Sequence, residues 1–251
     1  MKKLFIFSDV HSFYDELMTA LNEAGFEYDN ADHIVVSCGD LCDRGSQPKE
    51  VLTFINSLPE ERKICIIGNH ELLMEDMITR GTYFHADVSN GTLDTAIRIS
   101  KDHEISSLRN NKLWNDYKKS WRYYYEKKDH VFIHGWIPCI HSYGRGLRQD
   151  YKPMKDWRNA SRRQFEDATW ENGMEAWANG IREEGKTIFC GHWHSSWGHF
   201  HLHHDGAEFP DENDPEQYVR FDPFIDEGIV ALDACTVYSH KVNVYVWEIN
   251  E

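Results

Sequence analysis

The sequence predicts an α/β fold built on parallel strands, and three observations carry that expectation. Short uninterrupted apolar runs recur along the chain, helical periodicity fills the first gaps between them, and residues able to bind a metal ion follow five of the runs. The runs bear on the strands, the periodicity on the crossovers, and the polar residues on a site at the strand ends.

The runs lie at 4–7, 34–36, 64–67, 131–133, 188–190, 229–232 and 244–247. Each is three or four residues long and ends in small or polar residues, as expected of strands buried on both faces. Between the first two, Tyr14, Leu17, Met18, Leu21 and Ala24 share one helical face, with Ser12 placed to cap its start and Gly25 its end. Val51, Leu52, Ile55 and Leu58 repeat that spacing in the second gap. Strand, helix, strand, helix, strand opens an α/β domain with right-handed crossovers. The stretch 92–128 reads as helical: Trp114, Tyr117, Trp121, Tyr124 and Tyr125 fall at i, i+3, i+7, i+10 and i+11, an aromatic stripe expected in the core. Residues 196–227 carry Gly, Pro, Asp and His without period and read as a long irregular loop. From Gly228 to Glu251 two adjacent strands are expected, joined near Ser239 and His240. No repeat or linker divides the chain, so residues 1–251 are expected to form a single domain.

The 251 residues carry 42 acidic and 27 basic side chains, a formal charge of −15. Such a chain repels phosphate backbones unless a basic patch or a metal ion intervenes, which disfavours nucleic-acid coating. Charged residues at 27% and hydrophobic ones at 41% are globular values. Folding at this length should bury roughly 70–75% of the unfolded surface, enough for a core without staples. No apolar run exceeds four residues, far short of the roughly 20 that span a bilayer, so no membrane association is expected. Asp9 interrupts the opening Leu-Phe-Ile-Phe before a signal sequence forms, and six scattered cysteines without a CxxC pair read as reduced thiols. Both point to a cytoplasmic protein.

The residues that follow the strands carry the chemistry. Ser8-Asp9-Val10-His11, Gly39-Asp40-Leu41-Cys42-Asp43-Arg44-Gly45 and Gly68-Asn69-His70-Glu71 come first, then His134-Gly135 and Gly191-His192-Trp193-His194. Singly, each fits a structural role: Asp9 capping a turn, Asn69 holding one, His134 sitting satisfied in the core. In order, after five successive strands, they converge, because the carboxyl ends of parallel strands meet at one crevice. Carboxylate, amide and imidazole donors without thiolate suit manganese, iron or zinc better than calcium. The set is large enough for two divalent ions if one carboxylate bridges them, and Asp40, central in the series, is the natural bridge.

The ordered series DxH, GDxxDRG, GNHE, HG and GHxH resembles the calcineurin-like metallophosphoesterases, and most closely their phosphoprotein (serine/threonine) phosphatase branch. The resemblance runs nearly the length of the chain and implies a four-layer α/β/β/α sandwich with a two-metal site. It implies that Asp9 and His11 bind the first metal, Asn69, His134 and His192 the second, with Asp40 between them. In the wider superfamily the second histidine of GHxH also binds the first metal, which makes His194 a ligand; many protein phosphatases lack it. Two metals would activate a hydroxide for in-line attack on a phosphate monoester. His70 would protonate the leaving group, Asp43 would orient it, and Arg44, with Asn69, would hold phosphate oxygens. An ion pair between Asp43 and Arg44 at the surface is the alternative for those two.

A further phosphate-binding arginine, usual in that branch, has no legible motif here. The run 145–163 holds Arg145, Arg148, Lys152, Lys155, Arg158, Arg162 and Arg163 against Asp150 and Asp156, a local +5 that either focuses anionic substrates or forms a solvated helix face. His199, His201, His203 and His204 read as surface residues rather than a third metal site, and Cys190 as strand packing. The expected function is metal-dependent hydrolysis of a phosphoprotein, on serine and threonine or with dual specificity. Diadenosine tetraphosphate or another small phosphate ester is the rival substrate, and a catalytically silent metal-binding module the rival of another class. Substrate choice lies in 72–130 and 140–185, which carry no legible signature; nor does oligomeric state.

Overall fold

A computed structural model describes residues 1–101, 104–143, 149–214 and 216–249. In chain order the first half runs β1 (Lys2–Phe7), α1 (Tyr14–Glu23), β2 (His33–Ser37), α2 (Pro48–Ser57), β3 (Lys63–Ile66), α3 (Asn69–Arg80), α4 (His85–Ser89), α5 (Thr92–Ile99), α6 (Lys112–Lys118), β4 (Trp121–Arg122) and β5 (Tyr124–Lys127). The second runs β6 (His130–Ile133), β7 (Cys139–Tyr143), β8 (Gln149–Pro153), α7 (Arg162–Ala168), α8 (Gly173–Ala178), β9 (Thr187–Cys190), α9 (Ser195–His203), β10 (Phe224–Asp226), β11 (Ile229–Ala231), α10 (Thr236–Ser239) and β12 (Tyr245–Ile249).

Two five-stranded sheets result, ordered β12-β1-β2-β3-β4 and β10-β11-β9-β6-β5, with β7 and β8 paired apart as a hairpin. β1, β2, β3 and β4 are mutually parallel, as are β6, β9 and β11; the antiparallel pairings fall at the sheet edges. Continuous apolar runs form these strands because both faces are covered. Leu4 and Ile6 of β1 and Ile34 and Val36 of β2 point between the sheets, where they meet Phe132, Phe189 and Val230. Phe5, Phe7 and Val35 point the other way, onto α1, α2 and α3. The outer face of the second sheet packs on α7 and α8 through Phe165, Met174 and Trp177. Helix, sheet, sheet, helix is the expected four-layer sandwich, each fully buried Leu, Ile or Phe contributing about 1.5–3 kcal/mol.

Four local expectations are corrected. The helix over 92–128 breaks into α5 and α6 and ends at Lys118; Trp121, Tyr124 and Tyr125 are strand residues. Trp121 pairs with Cys65 of β3, so strand pairing overrides the helical period, although its ring still packs 5.5 Å from those of Trp114 and Tyr117. Residues 196–227 contain α9 and β10. α9 was hidden because its buried face is Ser195, Ser196, Gly198 and His199, with Gly198 so close that a Cβ would meet Met174 and Phe224 within 2.6 Å. The two terminal strands belong to different sheets: β12 adds to the edge of β1, while β11 lies between β9 and β10. Ser12 is not the cap of α1; it has φ +63° and its buried hydroxyl is unpaired.

All six cysteines are free. Among the described residues no helix is long and apolar enough to cross a membrane.

Candidate metal centre

The loops that leave β1, β2 and β3 meet those that leave β6 and β9, and glycine makes the approach possible. A Cβ on Gly191 would lie 2.0 Å from Asp9 Oδ2, and one on Gly68 would lie 2.1 Å from Asp40 Oδ1. Asp9, His11, Asp40, Asp43, Arg44 and His192 all have φ between +48° and +74°. Left-handed backbone costs non-glycine residues of order 1–3 kcal/mol each, so the fold holds these side chains against local preference.

Asp40 is the centre of the arrangement. Its Oδ1 accepts the backbone N–H of His70 at 3.0 Å, which leaves Oδ2 facing three imidazoles: His134 Nε2 at 3.3 Å, and His11 Nε2 and His70 Nε2 each at 4.0 Å. Two donor groups share it, His11–Asp40–His70 and Asp40–His134–His192. Asp9 Oδ1 stands 3.9 Å from His11 Nε2, and Asn69 Oδ1 is 2.8 Å from His134 Nε2, extending one group each. The sequence-predicted ligands Asp9, His11, Asp40, Asn69, His134 and His192 are therefore brought together, and the donor set fits two divalent ions that share Asp40.

The imidazoles are aimed by their other nitrogen. His11 Nδ1 is 3.0 Å from the carbonyl of Cys42, and His134 Nδ1 is 2.7 Å from that of Cys38; a carbonyl can only accept, so each ring offers Nε2 as a neutral lone pair. His70 differs. Its Nδ1 meets the carboxylate of Asp43 at 2.7 Å, and that oxygen also accepts from Thr92 Oγ1 at 2.6 Å. Asp43 is thus paired with His70 rather than with Arg44. The exposed Arg44 places Nη2 3.4 Å from His70 Nε2, so two donors converge on one point beside Asp40.

Electrostatics follow from burial and from Asp40. Burial, joined by the Asp40 charge, raises the Asp9 carboxyl to about 6 against the pull of His134. Burial would lower His134, but Asp40 outweighs it and holds the ring at about 10. Burial and the His134 charge push His192 down to about 3. His70 is depressed by burial yet raised on balance by Asp40 and by its bond to Asp43.

His194 is not brought into either group. Its Nδ1 lies 2.9 Å from Ser196 Oγ and its Nε2 3.7 Å from Glu208, with the Phe209 ring against it. The four downstream histidines sit on or just after α9 rather than in a loop; His199 bonds the Asp222 carbonyl, His201 meets Glu208 and His203 meets Asp226. Of the basic run, Arg158 is paired with Glu126 and Glu183, Arg162 with Glu166, and Arg163 lies 3.9 Å from Asp167, which weakens any focusing field. Arg145 and Arg148 lie outside the described residues. Cys190 is buried in strand packing, its thiol pushed well up by that burial.

Glu71 was missed. Its fully buried carboxylate accepts the backbone N–H of Asp40 (3.0 Å), Leu41 (2.9 Å) and Gly68 (2.8 Å), clamping the loops after β2 and β3 together. The letter was visible as the end of GNHE, but nothing in a sequence announces a bond to a backbone 30 residues away. Thr92 and Thr95, the latter accepting from the Asp43 N–H at 3.0 Å, were equally silent.

A family model for calcineurin-like phosphoesterases matches residues 2–223. Among curated relatives, a symmetrical bis(5'-nucleosyl)-tetraphosphatase of Psychromonas ingrahamii is 41% identical over 68 residues, 27% of this chain and 24% of the relative. An asymmetrical one of Halalkalibacterium halodurans is 35% identical over 72 residues, 26% of this chain and 29% of the relative. The chain thus matches about a quarter of the length of these relatives. Among solved structures, a serine/threonine phosphatase of Saccharomyces cerevisiae superposes with TM-score 0.55 at 13% identity, covering 100% of this chain and 81% of that one. A cold-active protein-tyrosine phosphatase of a Shewanella species gives 0.53 at 17%, covering 100% and 76%. At these identities the structural likeness speaks for the fold alone.

Proposed function

Because the chain belongs to the calcineurin-like phosphoesterase family, we propose that it is a metal-dependent phosphoric ester hydrolase acting on phosphate monoesters, a phosphoprotein phosphatase of serine/threonine or dual specificity. The observation that carries this reading is the single oxygen of Asp40 facing three imidazoles, with the His70–Asp43 couple beside it. Two divalent ions, manganese first by donor chemistry, supply when bound a water acidic enough to attack phosphorus near neutral pH and positive charge for the phosphoryl oxygens.

The protein's own groups do the rest. Asp9, His11 and Asp40 would hold one ion, and Asp40, Asn69, His134 and His192 the other. His70, protonated and fixed at Nδ1 by Asp43, presents the proton on Nε2 to the ester oxygen. Arg44 reaches the same point, so its planar fork holds a phosphoryl oxygen while His70 protonates the leaving one.

Hydrolysis of a dinucleoside polyphosphate is the second reading, supported by the names of the curated relatives. A panel with manganese comparing p-nitrophenyl phosphate, phosphopeptides and diadenosine tetraphosphate separates the two. Turnover of none of them with manganese, iron or zinc would leave a silent metal-binding module and sink both.

A further inference from the structure

A cavity of about 460 Å³ opens beside the metal centre between α3 and α7. It begins at Asn69, is floored by Leu72 and Leu73, and is walled by Arg162 and Trp170. Trp170 leaves 51% of its surface exposed although it is held from several sides. Its N–H bonds the Asp167 carbonyl at 3.1 Å. Two residues earlier the Ala168 carbonyl accepts the N–H of Trp136, and the backbone at 168–169 packs so tightly on Gly135, next to His134, that no Cβ would fit there. The indole stands edge-on to the His192 ring, centroids 5.8 Å apart at 82°. The segment is therefore built onto the backbone of two expected metal ligands, while the face of its side chain is left open to the cavity.

We infer that this cavity receives the leaving group of the substrate and that Trp170 selects aryl phosphate esters, the phosphotyrosine type, over alkyl ones. The inference rests on the phosphomonoesterase reading above. Position decides the class. A group seated on an indole that touches His192 must lie immediately beyond the phosphoryl oxygens. The ring of a phosphotyrosine is bonded directly to the ester oxygen and lands there. A phosphoserine leaves a single methylene in the same space and gains little from an apolar floor and an aromatic wall. A nucleobase is separated from its phosphate by a ribose and overshoots the indole. Arg162, on the opposite wall and tied to Glu166, offers its guanidinium to the peptide around the tyrosine rather than to the phosphate.

The test uses manganese-loaded protein and two non-hydrolysable probes, phenylphosphonate and methylphosphonate, titrated by calorimetry. Wild type should bind the phenyl compound up to about 10-fold more tightly, the size of one aromatic pair. Trp170→Ala should bring the ratio close to one, and Trp170→Phe should restore most of it. Because the ratio is internally referenced, damage to the metal centre shared by both probes does not mimic the effect. Equal affinities in wild type, or a phenyl preference that survives Trp170→Ala, would overturn the aryl subsite and leave the phosphatase reading standing. Failure of wild type to bind either phosphonate would overturn the phosphoryl-binding reading, and the subsite with it.

Discussion

Replacing Gly68 by alanine tests whether close backbone approach, rather than the ligand list alone, makes the centre. Gly68 has φ −99°, so alanine is acceptable to the backbone and the clash is the only change. The added Cβ would lie 2.1 Å from Asp40 Oδ1 and 2.6 Å from its amide nitrogen. Ordinary contact starts at 3.4 Å, so the carboxylate must retreat by about 1.3 Å. That movement breaks the bond from the His70 N–H, worth about 1.5–3 kcal/mol because its acceptor is charged, and shifts the one oxygen both donor groups share. Overpacking of this kind costs about 1–3 kcal/mol, and a domain of this size loses roughly 2–4 °C of Tm for each. A misplacement of about 1 Å at a reacting centre costs about 100-fold in rate. Gly68→Ala should therefore fold with a Tm lower by several degrees, bind manganese more weakly at both positions, and lose about two orders of magnitude in kcat/KM on p-nitrophenyl phosphate. Calorimetry, thermal unfolding and steady-state kinetics read the three effects. Wild-type manganese isotherms and turnover in the folded variant would refute the geometric argument.

His70→Ala should keep its metals yet lose about 100- to 10,000-fold in turnover of alkyl phosphates, with a much smaller loss on p-nitrophenyl phosphate, whose leaving group scarcely needs a proton; equal losses on both esters would count against the acid role. For His194 to complete the first metal's set, its ring must leave Ser196 and Glu208; His194→Ala would then weaken one manganese site selectively, with excess manganese restoring activity, whereas identical isotherms would remove it from the ligands. Asp40 holds His134 at about 10 despite burial, so near pH 7.5 the metal-free ring carries a proton that must leave before Nε2 can bind a cation. Manganese affinity should rise with pH up to that value, by as much as tenfold per unit, and titrations in buffers of different ionisation enthalpy should report about one proton released; no release would place the proton elsewhere.

What the sequence revealed and what it hid divide along a physical line. The strands were legible because burial on both faces writes itself as unbroken apolar runs, and the ligand series because parallel strands deliver their carboxyl ends to one place. α9 was illegible because it packs through serine, glycine and histidine, residues that carry no apolar period. Trp121 misled because a strand pairing with β3 happened to continue the spacing of α6. Within the site, Asp40, His70 and Asp43 announced themselves by type and order. Glu71 did not, since its three partners are backbone amides whose positions exist only after folding.

The carbonyls of Cys38 and Cys42 that aim His134 and His11 have a consequence for how the protein can drift. Every amino acid brings the same carbonyl, so the identity of residues 38 and 42 is uncoupled from the orientation of the rings they steer. Substitutions there are filtered only by the surrounding packing, which admits any side chain of suitable volume. Asp43 has no such latitude, because its contact with His70 is made by the side chain itself. The groups that hold cations are thereby buffered against mutation of their supports, whereas the group that moves a proton is exposed to it. Among distant descendants of this chain, loss of turnover with retention of metal should be the easier accident.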